Sequence, residues 1–265
     1  MRGKNLEGYY KNPPVPKDAD SIVNVSGGIE CFASLWWAKE NGLNPIALHL
    51  YNNPNNHPGK DAQLFYAKKQ ADFFGFPLIV EYSHLPAEVS LALMVNMYVS
   101  ACTMLLLGNP RDWKYMVWGG NSEDSLLQRL QLRYPTRAYL AESSFQLDLH
   151  GISGQRFMKA PLQLFPFEML TKSEVLSMVA KNKTLWEFAS KNTWYCYPSL
   201  RDRPHLVEKI KIAKLNGKIV GYKRCGECPK CKEYDNAVQV TNKSYYKQQE
   251  GTFEKRKPKQ EWIDE

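Results

Sequence analysis

Apolar residues along the chain fall into short runs separated by stretches of helical spacing. The first run, SIVNVS (residues 21–26), ends at Gly27 and Gly28, and the ECFASLWWAKEN that follows places Phe32, Leu35 and Trp36 on one helical face. That pattern predicts strand, glycine turn, helix. A second run, PIALHLY (45–51), leads through NNPNNHPGK into the helical stretch DAQLFYAKKQADFF, closed by Gly75. A third, PLIVEY (77–82), precedes a long apolar helix over about 87–107 and the strand-like KYMVWGG (114–120).

Apolar runs alternating with longer helices predict an α/β fold: a Rossmann-like, mainly parallel sheet with helices on both faces. Ligands in such sheets sit at the carboxyl ends of the strands, which singles out the turns after Val25, Tyr51 and Trp118. Residues 151–195 read as mainly helical, with Thr171 as N-cap and Glu174 completing a capping box. HLVEKIKIAKLNG (205–217) reads as a short amphipathic helix, basic side outward, stopped by Gly217. The expected organisation is an irregular arm over 1–20, a nucleotide-binding domain over 21–150, a helical and cysteine-rich region over 151–240 packing on it, and a charged tail over 241–265.

Composition narrows the class. With 43% hydrophobic and 23% charged residues, a chain of 265 residues is globular rather than disordered. The longest apolar stretch, 91–107, is interrupted by Asn96, Ser100 and Thr103 and falls short of the roughly 20 apolar residues that span a bilayer. No membrane association is expected. The N-terminal residues show no apolar signal core, so the expected location is cytoplasmic, where closely spaced cysteines are metal ligands more often than disulfides. The formal charge is +8, and residues 201–232 hold ten Lys and Arg against three Asp and Glu. An anionic or protein partner is expected at that segment.

Two groups of residues carry candidate chemistry. Ser26-Gly27-Gly28-Ile29-Glu30-Cys31 stands where a strand gives way to a helix, a place where glycines let backbone N–H groups approach a phosphate. Neither the Gly-Lys-Ser/Thr spacing of Walker loops nor GxGxxG is present, and an ordinary tight βα turn stays open as the alternative. Cys31 reads as a small helix-start residue, with a thiol of lowered pKa as the other reading. Cys225, Cys228 and Cys231 form a doubled CxxC, and Cys196 supplies a fourth thiol, the ligand number and bite of a structural Zn²⁺ site. A redox CxxC or free thiols would be the alternative. Cys102 reads as a buried small residue. His57, in a Pro/Asn loop, reads as solvated rather than phosphate-orienting. Trp36, Trp37 and Trp194 read as core rather than purine-stacking residues. Asn121 and Asp124 read equally as base or ribose contacts and as helix caps.

The order of these motifs is distinctive: SGG near the N-terminus, Leu170-Thr171-Lys172-Ser173-Glu174-Val175-Leu176, Thr193-Trp194-Tyr195-Cys196-Tyr197, then Cys225-Gly226-Glu227-Cys228-Pro229-Lys230-Cys231. Over about residues 21–235 the chain resembles the 7-cyano-7-deazaguanine synthase family of the adenine-nucleotide α-hydrolase, or PP-loop, superfamily. Trp118-Gly119-Gly120-Asn121-Ser122-Glu123-Asp124 resembles the family's Gly-Val-Asn-x-Glu-Asp element, and Asn96 resembles the asparagine of its Arg-Asn-x-x-Phe helix. The resemblance implies an ATP-dependent ligase acting on a 7-deazaguanine acid and ammonia. It implies ATP held by Val25, Ser26, Gly27, Gly28, Ile29, Glu30 and Cys31, and Mg²⁺ near Glu30. Lys172 would act with Glu30 in catalysis, and Asn96, Gly119, Asn121 and Asp124 would face the substrate. Cys196, Cys225, Cys228 and Cys231 would hold Zn²⁺. Two segments depart from the family, Tyr51-Asn52-Asn53-Pro54-Asn55-Asn56-His57 and Ser125-Leu126-Leu127-Gln128-Arg129-Leu130, and both shape its base pocket. A related adenylating ligase that joins an acyl group to a protein or nucleic acid therefore stays open, as does a non-catalytic nucleotide- or nucleic-acid-binding module. A homodimer is compatible with every one of these readings.

Overall fold

Short apolar and β-branched runs form strands, and among the described residues five strands make one sheet. The computed structural model describes residues 10–51, 57–82, 105, 109, 113–122, 161–196, 198 and 203–249, with side chains to 241. Strands β1 (Ser21–Asn24), β2 (Pro45–Tyr51), β3 (Leu78–Tyr82), β4 (Tyr115–Val117) and β5 (Leu162–Leu164) lie in the order β3-β2-β1-β4-β5, every neighbouring pair parallel. This is the expected α/β, Rossmann-like architecture. The order reverses between β1 and β4, so their carboxyl ends border the crevice where such folds bind ligands.

Alternation along each strand divides the core into two layers. Val23, Ala47, Leu78, Val80 and Val117 face helices α1 (Ile29–Glu40), α2 (Pro58–Phe74), α3 (Lys172–Ala180) and α4 (Lys183–Ala189). Ile22, Ile46, Leu48, Ile79 and Met116 face the other way, against Trp113, Trp118 and the helical residue Leu105. Each large side chain buried in these layers is worth roughly 1.5–3 kcal/mol. The rest of the expected helix over 87–107, Asn96 and Cys102 included, lies outside the described residues. No described helix is long and apolar enough to cross a membrane.

Residues 10–20 are irregular; Tyr10 and Asn12 lie against the outer edge of β3, and Asp20 bonds Asn44 and Lys114 ahead of β2 and β4. The Tyr10 hydroxyl donates to the Leu78 carbonyl, and the Asn12 side chain exchanges two hydrogen bonds with Val80, at 3.0 and 2.8 Å, as a neighbouring strand would. At the other edge β5 corrects the helical reading of 151–195. Its three residues are too few to show a period, and their pairing comes from β4.

The largest correction is at 205–217. Instead of one amphipathic helix, the chain makes the single turn α5 (Pro204–Val207) and then the antiparallel hairpin β6 (Lys211–Leu215) and β7 (Lys218–Lys223). Asn216 and Gly217 have φ of 51° and 74°, the left-handed pair that a two-residue hairpin turn requires. Gly217 is thus the hairpin's turn rather than a helix stop. The chain continues through the cysteines into α6 (Pro229–Gln249), which packs along α3.

Candidate functional site

The turn after β1 is fixed by what holds its carbonyls. The Gly27 carbonyl accepts from the Trp194 backbone N–H at 2.7 Å and from the buried Gln70 amide at 2.8 Å. The same Gln70 amide donates to the Gly28 and Asn192 carbonyls at 3.3 and 3.0 Å. The Val25 carbonyl accepts from His49 Nδ1–H at 2.8 Å. With its acceptors tied into the protein, the turn leads into the first turn of α1, whose N–H groups have no intrahelical partner. Gly27 is required twice over. Its φ is 82°, and a Cβ there would sit 2.7 Å from the Gln63 carbonyl oxygen of α2.

Cys31 closes the turn from inside. Its Sγ accepts the Ser26 backbone N–H at 3.2 Å and lies 3.3 Å from the Ser26 hydroxyl. Burial pushes its thiol up, against the reading of a lowered pKa, and the hydrogen bonds from Ser26 only partly offset this. The side chains of Val25 and Ile29 are buried in the core, so each offers the turn only its backbone.

Gly119 and Asn121, just past β4, come against this first turn. A Cβ on Gly119 would lie 3.0 Å from the Glu30 carbonyl carbon and 3.1 Å from the Cys31 nitrogen, so the bare backbone permits the approach. Asn121 is buried and donates through Nδ2 to Glu30 Oε1 at 3.0 Å. The same Glu30 oxygen lies 3.2 Å from Lys172 Nζ, which also pairs with Glu233 of α6. Thr171 and Glu174 form the expected capping box, and this sets Lys172 as the first residue of α3. Burial opposes the Lys172 charge, but the Glu30 charge and the Glu233 hydrogen bond outweigh it and hold the ammonium above its ordinary pKa. Burial likewise opposes the Glu233 carboxylate, and the bonds from Lys172 and Lys230 still hold it below its ordinary value. Asp124 lies outside the described residues.

Four consecutive residues connect this turn to the cysteines. The Thr193 hydroxyl donates to the Ala189 carbonyl at 3.0 Å and lies 3.4 Å from the Tyr234 hydroxyl. The Trp194 backbone holds Gly27 while its ring stacks on Tyr66, which agrees with its reading as core. Tyr195 stacks on Tyr234 with centroids 3.4 Å apart, and the Arg224 guanidinium lies over its ring. Cys196 then meets Cys225, Cys228 and Cys231, and all four buried Sγ atoms lie within 4.8 Å of one another. Backbone N–H groups of Cys225, Cys228 and Cys231 donate to the sulfurs of Cys196, Cys225 and Cys228 at 3.3 to 3.4 Å. Four buried, converging sulfurs are a donor set for one tetrahedral metal ion.

The end of β2 differs from its sequence reading. His57 is buried rather than solvated: Nδ1 accepts from the Gly59 N–H at 2.9 Å, capping α2, and Nε2–H donates to the Pro198 carbonyl at 2.9 Å. Burial lowers its pKa, so the neutral tautomer that makes both bonds is the stable one. The helix begins at Pro58, a residue pre-organised for the first helical position, which is why PGK does not belong to the loop. Burial lowers the neighbouring Lys60 to about 8 and His49 to about 4.

Sequence reasoning missed Gln70, Glu233 and His49. Gln70 carried a signal: it is the polar member of the buried α2 stripe Tyr66, Ala67, Gln70, Ala71, Phe74. Glu233 and His49 carried none, because each acts on a residue remote in sequence.

No family model matches the chain, and no curated protein does. Among solved structures, the U34-tRNA thiolase NcsA from Methanococcus maripaludis with its [4Fe-4S] cluster is similar at 15% identity, with 82% of this chain and 80% of that chain covered and a TM-score of 0.44. NMN synthetase from Francisella tularensis is similar at 14% identity, covering 91% and 90%, TM-score 0.38. A 4-thiouridine synthetase in complex with RNA and bound ATP is similar at 13% identity, covering 85% of this chain and 53% of that one, TM-score 0.39. These TM-scores are low, and the chemistry of the site rests on its own residues.

Proposed function

We propose that the chain is an ATP-dependent ligase that converts 7-carboxy-7-deazaguanine and ammonia to 7-cyano-7-deazaguanine. The observation that carries this reading is the glycine turn at the strand-order reversal, with its carbonyls tied back and Glu30, Asn121 and Lys172 gathered at its mouth. The order of the sequence motifs supports the substrate.

In this reading the amides of Gly27, Gly28 and the first turn of α1 receive the ATP phosphates. Lys172 neutralises charge on the pyrophosphate as it leaves, and Glu30 is the carboxylate that would hold Mg²⁺. Both must first loosen their pairing with each other, which keeps the two charges compensated until nucleotide arrives. Asn121 orients Glu30 and borders the purine-like substrate. The substrate carboxylate attacks the α-phosphate and releases pyrophosphate, and ammonia then displaces AMP to give the amide. The amide oxygen then attacks the α-phosphate of a second ATP and releases a second pyrophosphate, and loss of that oxygen with AMP, together with both N–H protons, leaves the nitrile.

The four cysteines would hold Zn²⁺. Their sulfurs converge on one point, whereas a four-iron cluster binds its ligands through four separate irons and needs them farther apart. A zinc ion held there would be structural, closing the link from Cys196 through Trp194 to Gly27. Incubation with ATP, Mg²⁺, ammonia and the acid, followed by mass spectrometry, tests the function: amide, nitrile and AMP are expected, and their absence at saturating substrate sinks the reading.

One observation favours a second acceptor. His57 stands where the family's pocket motif ends, and both its ring nitrogens are engaged within the protein. An adenylated acyl group would then pass to an amine of a protein or nucleic acid, seen as an ATP-dependent mass increase on that partner.

A further inference from the structure

The charge excess of residues 201–232 is not spread evenly. Lys209 pairs with Glu227, Arg224 with Asp235 at 3.1 Å and Lys230 with Glu233 at 3.0 Å. Lys211, Lys214, Lys218 and Lys223 are exposed and have no acidic partner among the described residues. All four stand on the β6–β7 hairpin. Lys211 and Lys223 are moreover direct cross-strand partners, a like-charge pair that destabilises a hairpin left alone. Their neighbours Ile212 and Tyr222 form the next pair, and Tyr222 is buried against Tyr66 and Trp194. Since successive pairs point to opposite faces, the lysine pair points away from the protein.

We propose that this hairpin is a docking surface for the phosphate backbone of duplex DNA. A two-stranded ribbon has the width that a major groove about 12 Å across admits, and phosphates on both walls would relieve the lysine repulsion. The exposed large apolar side chains beside the lysines are Ile212, Leu215 and Val220, which offer no aromatic platform for the unstacked bases of a single strand. The root of the ribbon touches Tyr66, whose ring stacks on Trp194, the residue that holds Gly27. The root of the ribbon is thus tied to the glycine turn through Tyr66 and Trp194. The inference does not depend on the ligase reading, because it needs neither ATP nor turnover.

The test is fluorescence anisotropy of a short labelled DNA duplex with the full chain across a salt series, without nucleotide. The variant replaces Lys211, Lys214, Lys218 and Lys223 by Gln, and Lys183→Gln, an exposed change on α4, is the control. Wild type should bind with steep salt dependence, and the slope should fall by about 0.9 for every lysine that meets a phosphate. The control should bind as wild type. The quadruple variant should keep its melting temperature, since it loses a like-charge pair. Absence of duplex binding at low salt, or equal binding by the quadruple variant, overturns the proposal. So does tighter binding of a single strand, polyglutamate or anionic vesicles than of the duplex, which would assign the ribbon to another partner.

Discussion

Lys172 Nζ lies 3.2 Å from Glu30 Oε1, joining the first residue of α3 to the first turn of α1 across 142 positions of sequence. Both side chains are mostly shielded from water, and each has a second partner: Asn121 for Glu30 and Glu233 for Lys172. The pair holds opposite charges at the mouth of the glycine turn, and these partners offset the desolvation that burial imposes on Lys172.

Lys172→Met leaves Glu30 with Asn121 alone and Glu233 with Lys230 alone. A loss of about 2 kcal/mol in unfolding free energy is expected, the scale of a charged hydrogen bond. Glu233→Gln keeps a neutral partner for Lys172 and should cost less. Urea titrations of both variants measure the order.

Gly27 and Gly28 should separate. Gly27→Ala meets both a left-handed φ and the Gln63 carbonyl and should destabilise by about 2 kcal/mol or more. Gly28→Ala has φ −75° and meets only the movable Glu30 carboxylate at 3.2 Å. It should fold normally and lose nucleotide affinity. Thermal melts and binding measurements on the two proteins distinguish them.

Acid should destabilise the fold before most carboxylates titrate. His49 is held neutral by burial, its pKa lowered from 6.5 to about 4, so the unfolded chain binds a proton that the folded one refuses. Its contribution is fully present above pH 6.5 and is lost as pH falls toward 4, up to about 3 kcal/mol in all. His57, lowered in the same direction, adds to the slope. His49→Gln should flatten unfolding free energy against pH over that window.

Metal analysis should find one zinc per chain without iron–sulfur absorbance. Chelation should raise hydrogen exchange in 193–196 and 225–241 while the sheet stays protected, because the buried cluster of Cys196, Cys225, Cys228 and Cys231 also packs Trp194, Tyr66 and Tyr222. Cys228→Ala should reproduce the chelated state.

Much of this architecture can be read from residue order. Each of the strands β1 to β4 follows from a buried apolar run, the capping box from Thr171 and Glu174, and the sulfur cluster from its CxxC spacing. The helical reading of 205–217 fails because KIKIAKL satisfies a helical period as well as a strand's alternation, and Gly217, in place of a helix stop, joins Asn216 in the left-handed pair that decides for the hairpin. The burial of His57 follows from Pro198, which is remote in sequence, and Glu233 gains its role only when α6 packs on α3. Contacts of that kind leave no local pattern.

In the proposed function the glycine turn and Lys172 form a nucleotide site, and calorimetric titration of Mg·ATP into wild type, Lys172→Met and Gly28→Ala tests this most directly. Saturable binding to wild type at one site, weakened about tenfold or more in each variant, is the predicted result. No binding to wild type, or equal affinity in all three proteins, would contradict it.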